Sequence, residues 1–426
     1  MESEGSWPIA RVMMEEKSIA VLHVCSISPT MGQSGYEIRV IEETHLLKEK
    51  GIKVIILCFI RRNQLFSLSR LFKLYHQLRK MSGAIVYIVP TSNFFDLQIS
   101  PCGDKWISRA IIFISKFHRV KIIHGQALYS TMHILRIRQK LNAKVVFEVH
   151  GASPEETEMS GGHPNRIKKL EEWEKEAFRS ADHFNFVSYK MRDYFQKKYS
   201  LNFINYSIIP CCVHTEKFVM VWNEREQKRH ELGLNDKIVI AYLGTLTVWQ
   251  WPEAMFTLFE QIHKKRKDTF FYLLVPGSDH DKALELIHKH NISDDSYRLE
   301  EVPHDKVGAF LGIADIGLLL RKQHPVNYVA SPTKFGEYLA AGVPVIVTDE
   351  IGDTSAIIDK NKVGIVINVD NEGVSEENLN RLIDFIDKLK IDRNEFAHRC
   401  KQTAESELDW NVWGQKLIDA YHNILS

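Results

Sequence analysis

The chain reads as an α/β protein of two doubly wound parallel-sheet domains, and three observations predict this. Short apolar runs alternate with stretches of helical period along its length, the pattern of βαβ units. The alternation comes in two consecutive series, with a break near Pro210–Phe218. At 426 residues, the chain also exceeds what one compact core normally holds. Two Rossmann-like halves facing a cleft are expected, spanning 1–210 and 211–409. A final helical segment, 410–426, is expected to pack back on the first half.

In the first series the apolar runs Ile19–Cys25, Val54–Phe59, Ala84–Val89, Ile122–Ile123, Val145–Val149, His183–Val187 and Tyr206–Ile209 predict strands. Tyr36–Lys50, Tyr129–Leu141 and the charged Asn165–Arg179 carry helical spacing between them. The second series gives strands at Ile238–Leu243, Phe270–Val275, Tyr297–Leu299, Ile316–Leu320, Val343–Val347 and Gly364–Ile367. Trp410–Leu425 then closes the chain as a helix.

Ser331–Asp349, SPTKFGEYLAAGVPVIVTD, is the most informative stretch. Ser331 suits an N-cap and Pro332 the first helical position. The first-turn amides of Thr333 and Lys334 then point outward as an anion site, and Lys334 adds a full charge to the partial charge of the helix dipole. Glu337 stands where a carboxylate could accept hydrogen bonds from vicinal hydroxyls such as a ribose offers. Phosphate and diol together suggest a nucleotide diphosphate. An ordinary capped helix leading into a buried strand accounts for the segment equally well.

Composition excludes several classes. A formal net charge of +1 gives no reason to invoke nucleic-acid binding. Apolar content of 44% is that of a globular protein. The six cysteines are scattered, without CxxC spacing, so neither a zinc site nor a disulfide framework is indicated. The N-terminus lacks an apolar signal core and no run is long enough to span a bilayer, so a cytoplasmic protein is expected.

Five segments, in order, carry a family resemblance: IAVLHVCSISPTMGQSGYEIRVIEETHLLKEKGIKV, VVFEVHG, HFNFVSYKM, IIPCCVHTEKF, and IAYLGTLTVWQWPEAM followed by SPTKFGEYLAAGVPVI. Together they resemble a GT-B glycosyltransferase of the large retaining family 4, over nearly the whole chain. Three positions stand out against that pattern. Where the family usually shows two glutamates eight residues apart, this chain has Val329 and Glu337. Where it usually shows an arginine and a lysine, this chain has Thr245 and Gln250. Arg321 and Lys334 are read as the replacement cations, as in similar subgroups that make surface polysaccharides.

The resemblance implies transfer of a sugar from a nucleotide-diphosphate sugar, with retention, to a glycan or lipid-linked acceptor in cell-surface polysaccharide synthesis. It implies neither a cofactor nor a metal. The leaving diphosphate needs fixed positive charge and donors. Gly244, Thr245, the amides at Thr333 and Lys334, and the side chains of Arg321 and Lys334 are the candidates. By the same resemblance Gly32 lies in the loop over the donor, His150 meets the donor sugar, Val302 packs backbone against the base, and Glu337 takes the ribose. For Glu148, Glu155, Glu156 and Asp349, surface or structural roles are the better account. A non-catalytic nucleotide- or glycan-binding protein and a nucleotide-sugar epimerase on the same scaffold remain alternatives.

Arg61–Lys80, RRNQLFSLSRLFKLYHQLRK, carries six Arg or Lys and no acid, with leucines and phenylalanine at helical spacing. It suggests peripheral contact with the cytoplasmic face of a membrane. A helix packed on its own domain is the competing reading.

Overall fold

The computed structural model describes residues 19–27, 35–61, 68–91, 105–218, 222–303, 306–370 and 373–426. Two compact units divide the chain. The first takes the chain to Val187 together with Arg192–Ile209 and Gly414–Ser426, and the second takes Ser188–Met191 and Pro210–Trp413.

The first unit is built on β1 (Ala20–Ser26), β2 (Lys53–Arg61), β3 (Ile85–Thr91), β4 (Ile122–Gln126), β5 (Lys144–Val149), β6 (His183–Phe186) and β7 (Tyr206–Ile208). They form one parallel sheet in the order β3-β2-β1-β4-β5-β6-β7. Alternation sorts the side chains of β1: Ala20, Leu22 and Val24 join an apolar cluster with Ile107, Ile111 and Ile114 of the helix Lys105–Phe117. Val21, His23 and Cys25 must therefore face the other side of the pleat. The structure extends β4 three residues beyond the expected Ile122–Ile123, through His124, Gly125 and Gln126. The helix expected at Tyr129–Leu141 is instead Ala127–Leu135 followed by a separate turn at Arg138–Lys140.

The second unit holds β8 (Ile238–Leu243), β9 (Thr269–Leu274), β10 (Tyr297–Glu300), β11 (Ile316–Leu319), β12 (Val345–Thr348) and β13 (Gly364–Ile367). Its parallel sheet runs β10-β9-β8-β11-β12-β13. Both faces are covered. Ile238, Ile240 and Tyr242 pack with the helix Pro252–Lys265, while Val239 and Ala241 pack with Phe335, Tyr338 and Leu339 of the helix Thr333–Ala340. This double burial explains why these strands read as continuous apolar runs.

In each sheet the chain builds outward in one direction, then returns to the far side of its first strand. The order reverses between β1 and β4 in one unit and between β8 and β11 in the other. At such a reversal the crossover helices diverge and leave a crevice at the carboxyl ends of the strands. Those ends are Leu243–Thr245 and Leu319–Arg321 in the second unit, and Gln126 and its neighbours in the first.

Among the described residues no helix is long and apolar enough to cross a membrane. In the helix Leu68–Ser82, Leu74 and Leu78 are turned into the first unit. The rest of the expected membrane segment, through residue 67, lies outside the described residues apart from the backbone of Arg61 at the end of β2.

Candidate functional site

The second unit gathers two cations at its strand reversal. Arg321 follows β11 directly. Thr348, at the end of the neighbouring β12, clamps its backbone: the Arg321 N–H donates to Thr348 Oγ1 at 2.8 Å, and the Thr348 hydroxyl donates back to the Arg321 carbonyl at 2.8 Å. Its guanidinium is buried and reaches Asn327 Oδ1 at 3.3 Å from Nη1, while Nε finds no partner among the described residues. Asn327 is itself fixed, donating from Nδ2 to the Lys322 carbonyl at 2.9 Å and the Trp249 carbonyl at 3.3 Å. Burial pushes the Arg321 pKa down to about 10.

Lys334 arrives from the second position of the helix Thr333–Ala340. Its Nζ lies over the Tyr242 ring, 5.2 Å from the centroid. It also fills the space beside Gly244, lying 2.0 Å from where a Cβ would stand. Gly244 has φ +119°, which an L side chain rarely adopts, so glycine here serves both the turn and the ammonium. Burial first, then the Arg321 charge, pushes the Lys334 pKa down to about 7, against the opposing pull of Glu337 and Asp279. Among the described residues neither Arg321 nor Lys334 has a carboxylate within ion-pair distance.

The loop after β8 is fixed from several sides. Tyr242 donates from its hydroxyl to the Thr245 carbonyl at 2.5 Å. Asp279 Oδ2 accepts the Leu246 N–H at 2.8 Å, and Lys282 Nζ donates to the Leu246 carbonyl at 2.7 Å. Tyr338 anchors the cation-bearing helix from below. Its hydroxyl accepts the Leu243 N–H at 2.8 Å, and its ring occupies the space that a side chain at Gly317 would need.

The structure corrects the expected cap. Pro332, not Ser331, is the residue before the helix, and no side chain caps it. Ser331 Oγ instead accepts the Cys211 N–H at 2.9 Å, tying the start of the second unit to this turn.

The first unit carries a row of buried polar groups across its sheet. His23 and His124 are partners in register on β1 and β4, their rings 4.8 Å apart and edge to face. Glu148 on β5 accepts from Arg39 Nη2 at 2.6 Å, His124 Nε2 at 3.0 Å and Asn185 Nδ2 at 2.8 Å. Burial raises the Glu148 pKa, but the Arg39 charge and the bound donors overcome it and leave the carboxylate well below its usual range. Burial pushes Glu43 up to about 7. Tyr421, from the C-terminal helix Trp410–Leu425, closes the row against His124 Nδ1 at 2.6 Å.

His150 sits just beyond β5 at the edge of this row. Gln126 donates from Nε2 to Glu43 Oε2 at 2.9 Å, which leaves its carbonyl oxygen to accept from His150 at 2.7 Å. The proton of His150 is thereby assigned to Nε2, and Nδ1 keeps its lone pair. Burial lowers the His150 pKa to about 3, so the ring is neutral at pH 7. Tyr36 packs edge-on against it at 4.7 Å.

Of the residues singled out from sequence, Gly244, Arg321, Lys334 and Glu337 share one neighbourhood. Glu337 is buried one helical turn beyond Lys334, on the same face. Thr245 and Thr333 flank it, both half-buried. Val302 follows β10 and packs partly buried on the apolar cluster beneath. His150 belongs to the other unit. Gly32 lies outside the described residues. Sequence alone missed Asn327, Thr348 and Tyr242, which hold the cations, and the whole Arg39–Glu43–Gln126 chain behind His150.

Two doubly wound parallel sheets with crevices at their reversals define a GT-B type protein. The family profile for Glycosyltransferase Family 4 matches residues 33–217, and that for Glycosyl transferases group 1 matches 224–407. The chain belongs to the group 1 glycosyltransferases. Solved structures share the fold over nearly their full length. Sucrose-phosphate synthase from Thermosynechococcus elongatus is 13% identical, with 95% of this chain and 99% of that one covered and a TM-score of 0.72. A glycosyltransferase from Rickettsia africae is 18% identical, with 96% and 99% covered and a TM-score of 0.71. HepE of Anabaena, in complex with UDP, is 12% identical, with 95% and 100% covered and a TM-score of 0.70. No curated protein matches the sequence.

Proposed function

We propose that the chain transfers a hexose or related sugar from a nucleotide-diphosphate sugar, with retention, to a growing cell-surface glycan or lipid-linked saccharide. The observation that carries this reading is the pair Arg321, buried, and Lys334, half-buried, two cations at a strand reversal with no carboxylate within ion-pair distance among the described residues. Burying unpaired cations is costly, and a bound diphosphate would offset that cost. HepE in complex with UDP supports a nucleotide donor on this fold.

In this reading Arg321 and Lys334 neutralise the departing diphosphate and do so without a metal. The turn at Gly244 and Thr245 lets backbone approach the phosphates, and the first-turn amides at Thr333 and Lys334 face them. Glu337 takes the ribose hydroxyls, and the backbone at Val302 meets the base. In the first unit, His150 offers Nδ1 as an acceptor to a hydroxyl. These stabilising contacts act on charge that develops as the bond to the sugar breaks.

A thermal-shift panel with UDP, GDP, ADP and CMP tests the donor site. Ligand at a hundred times its dissociation constant stabilises by about 2.7 kcal/mol, and one diphosphate should do so selectively. Glu337→Ala should then weaken that nucleotide by one to two orders of magnitude, for a loss of about 1.5–3 kcal/mol of charged hydrogen bonding. Lys334→Ala should hurt the diphosphate far more than the nucleoside. Silence across the panel would remove the donor reading. Binding without transfer would favour a non-catalytic protein, the reading suggested by Val329, which is 0% exposed and apolar where the family usually has a carboxylate.

A further inference from the structure

The helix Lys105–Phe117 has two unlike faces. Ile107, Ile111 and Ile114 point into the sheet and are essentially fully buried. The opposite face leaves Trp106, Phe113 and Phe117 in solvent at 63%, 62% and 67% exposure. These three recur at helical spacing and form one stripe with Arg109 between them. The Arg109 guanidinium lies 5.2 Å from the centre of the Trp106 ring, and Phe113 stacks on Phe117 at 5.7 Å. Large aromatics are seldom left out in a row without a partner.

The charges around the stripe say which partner. From Lys105 to Lys121 the chain contains no Asp or Glu, while Lys105, Arg109, Lys116, Arg119 and Lys121 are all exposed. A second copy of this chain seated face to face would bring cations against cations, because a two-fold contact repeats the same patch on both sides. An anionic lipid surface meets both halves of the pattern, taking the rings at the headgroup level and the cations at its negative charge.

We propose that the outer face of the helix Lys105–Phe117 docks the protein on an anionic membrane surface. The helix Leu68–Ser82, also basic, turns Leu74 and Leu78 inward and, among the described side chains, leaves Phe72 and Met81 as its exposed large apolar groups, so it is the weaker face. The proposal stands apart from the donor reading, since it would hold for a protein that transfers nothing.

The test is co-sedimentation of the full chain with phosphatidylcholine–phosphatidylglycerol vesicles and with pure phosphatidylcholine vesicles. Wild type should bind the mixed vesicles, release in high salt, and bind the neutral ones weakly. Arg109→Gln with Lys116→Gln should lower the partition by about 25-fold, at about fivefold per charge near an anionic surface. Phe113→Ser with Phe117→Ser should lower it by about tenfold or more with an unchanged melting temperature, as both side chains are already exposed. Equal binding to both vesicle types, no binding to either, or full binding by both variants overturns the proposal. A dimer by sedimentation velocity that the Phe113→Ser, Phe117→Ser variant abolishes would assign the face to a second copy and overturn it as well.

Discussion

At the scale of single residues, Lys334 is where the chemistry of this chain is most exposed to measurement. An ordinary lysine titrates at about 10.4, whereas burial and the Arg321 charge bring Lys334 down to about 7. Between those values the unfolded chain holds a proton that the folded protein lacks, so stability from this group falls as pH is lowered from about 10 to about 7. A bound diphosphate reverses the preference, because it favours the ammonium. Binding above pH 7 should therefore take up close to one proton, and affinity should fall by up to about tenfold per pH unit as the solution is made more alkaline. Titration calorimetry at pH 8.5 in two buffers of different ionisation enthalpy reads the uptake directly. Lys334→Met should abolish it, and buffer-independent heats in the wild type would take Lys334 out of the site. Lys334 was legible in the sequence because a lysine in the first turn of a helix opposes the dipole there. Asn327 and Thr348 were not, because a polar side chain that holds another residue has no distinguishing spacing. Ser331 was misread: it has the identity of a cap, but tertiary context gave its oxygen to Cys211.

Elements turn those residues into a site, and the helix Thr333–Ala340 is the one that matters most. Its placement rests on Tyr338, whose hydroxyl accepts the Leu243 N–H at the end of β8 and whose ring needs the absent side chain of Gly317. Tyr338→Phe should cost about 1–3 kcal/mol, the penalty of leaving that donor unmet, and should weaken diphosphate binding because the Lys334 helix is released from β8. Gly317→Ala should cost more, since its Cβ would stand 2.5 Å from a buried ring that cannot move aside. Denaturant midpoints of the two variants rank the effects, and a Gly317→Ala protein as stable as wild type would show that the helix is not held this way. Strands of the second unit were readable because both faces are apolar. In the first unit β4 appeared to stop at Ile123, since His124-Gly125-Gln126 has the composition of a loop. Those residues are buried strand because Glu148, Glu43 and Tyr421 satisfy their polar atoms, and partners from distant positions leave no local signal.

For the whole molecule, the two-fold alternation of the sequence corresponds to two units that each own a complete sheet and core. The C-terminal helix is shared by chain continuity: Trp410 to Trp413 count with the second unit and Gly414 onward with the first. At one end Trp410 donates its N–H to the Val213 carbonyl at 3.2 Å. At the other, Tyr421 is fully buried, with its hydroxyl on His124 and, at 3.4 Å, on His23. Tyr421→Ala would open a cavity in the first unit and strip His124 Nδ1 of its partner. The expected cost is about 3–5 kcal/mol, carried by the first unit alone. Calorimetry of the variant should show the transition of the first unit moved down. The second should keep its place and any shift that a nucleotide diphosphate gives the wild type. A nucleotide diphosphate seated on the proposed donor residues of the second unit would act as the internal reference, because it would raise the unit that holds it. If Tyr421→Ala instead lowered a single transition and weakened the nucleotide in proportion, the units would unfold as one. The proposed donor site would then depend on the histidine row as much as on its own cations.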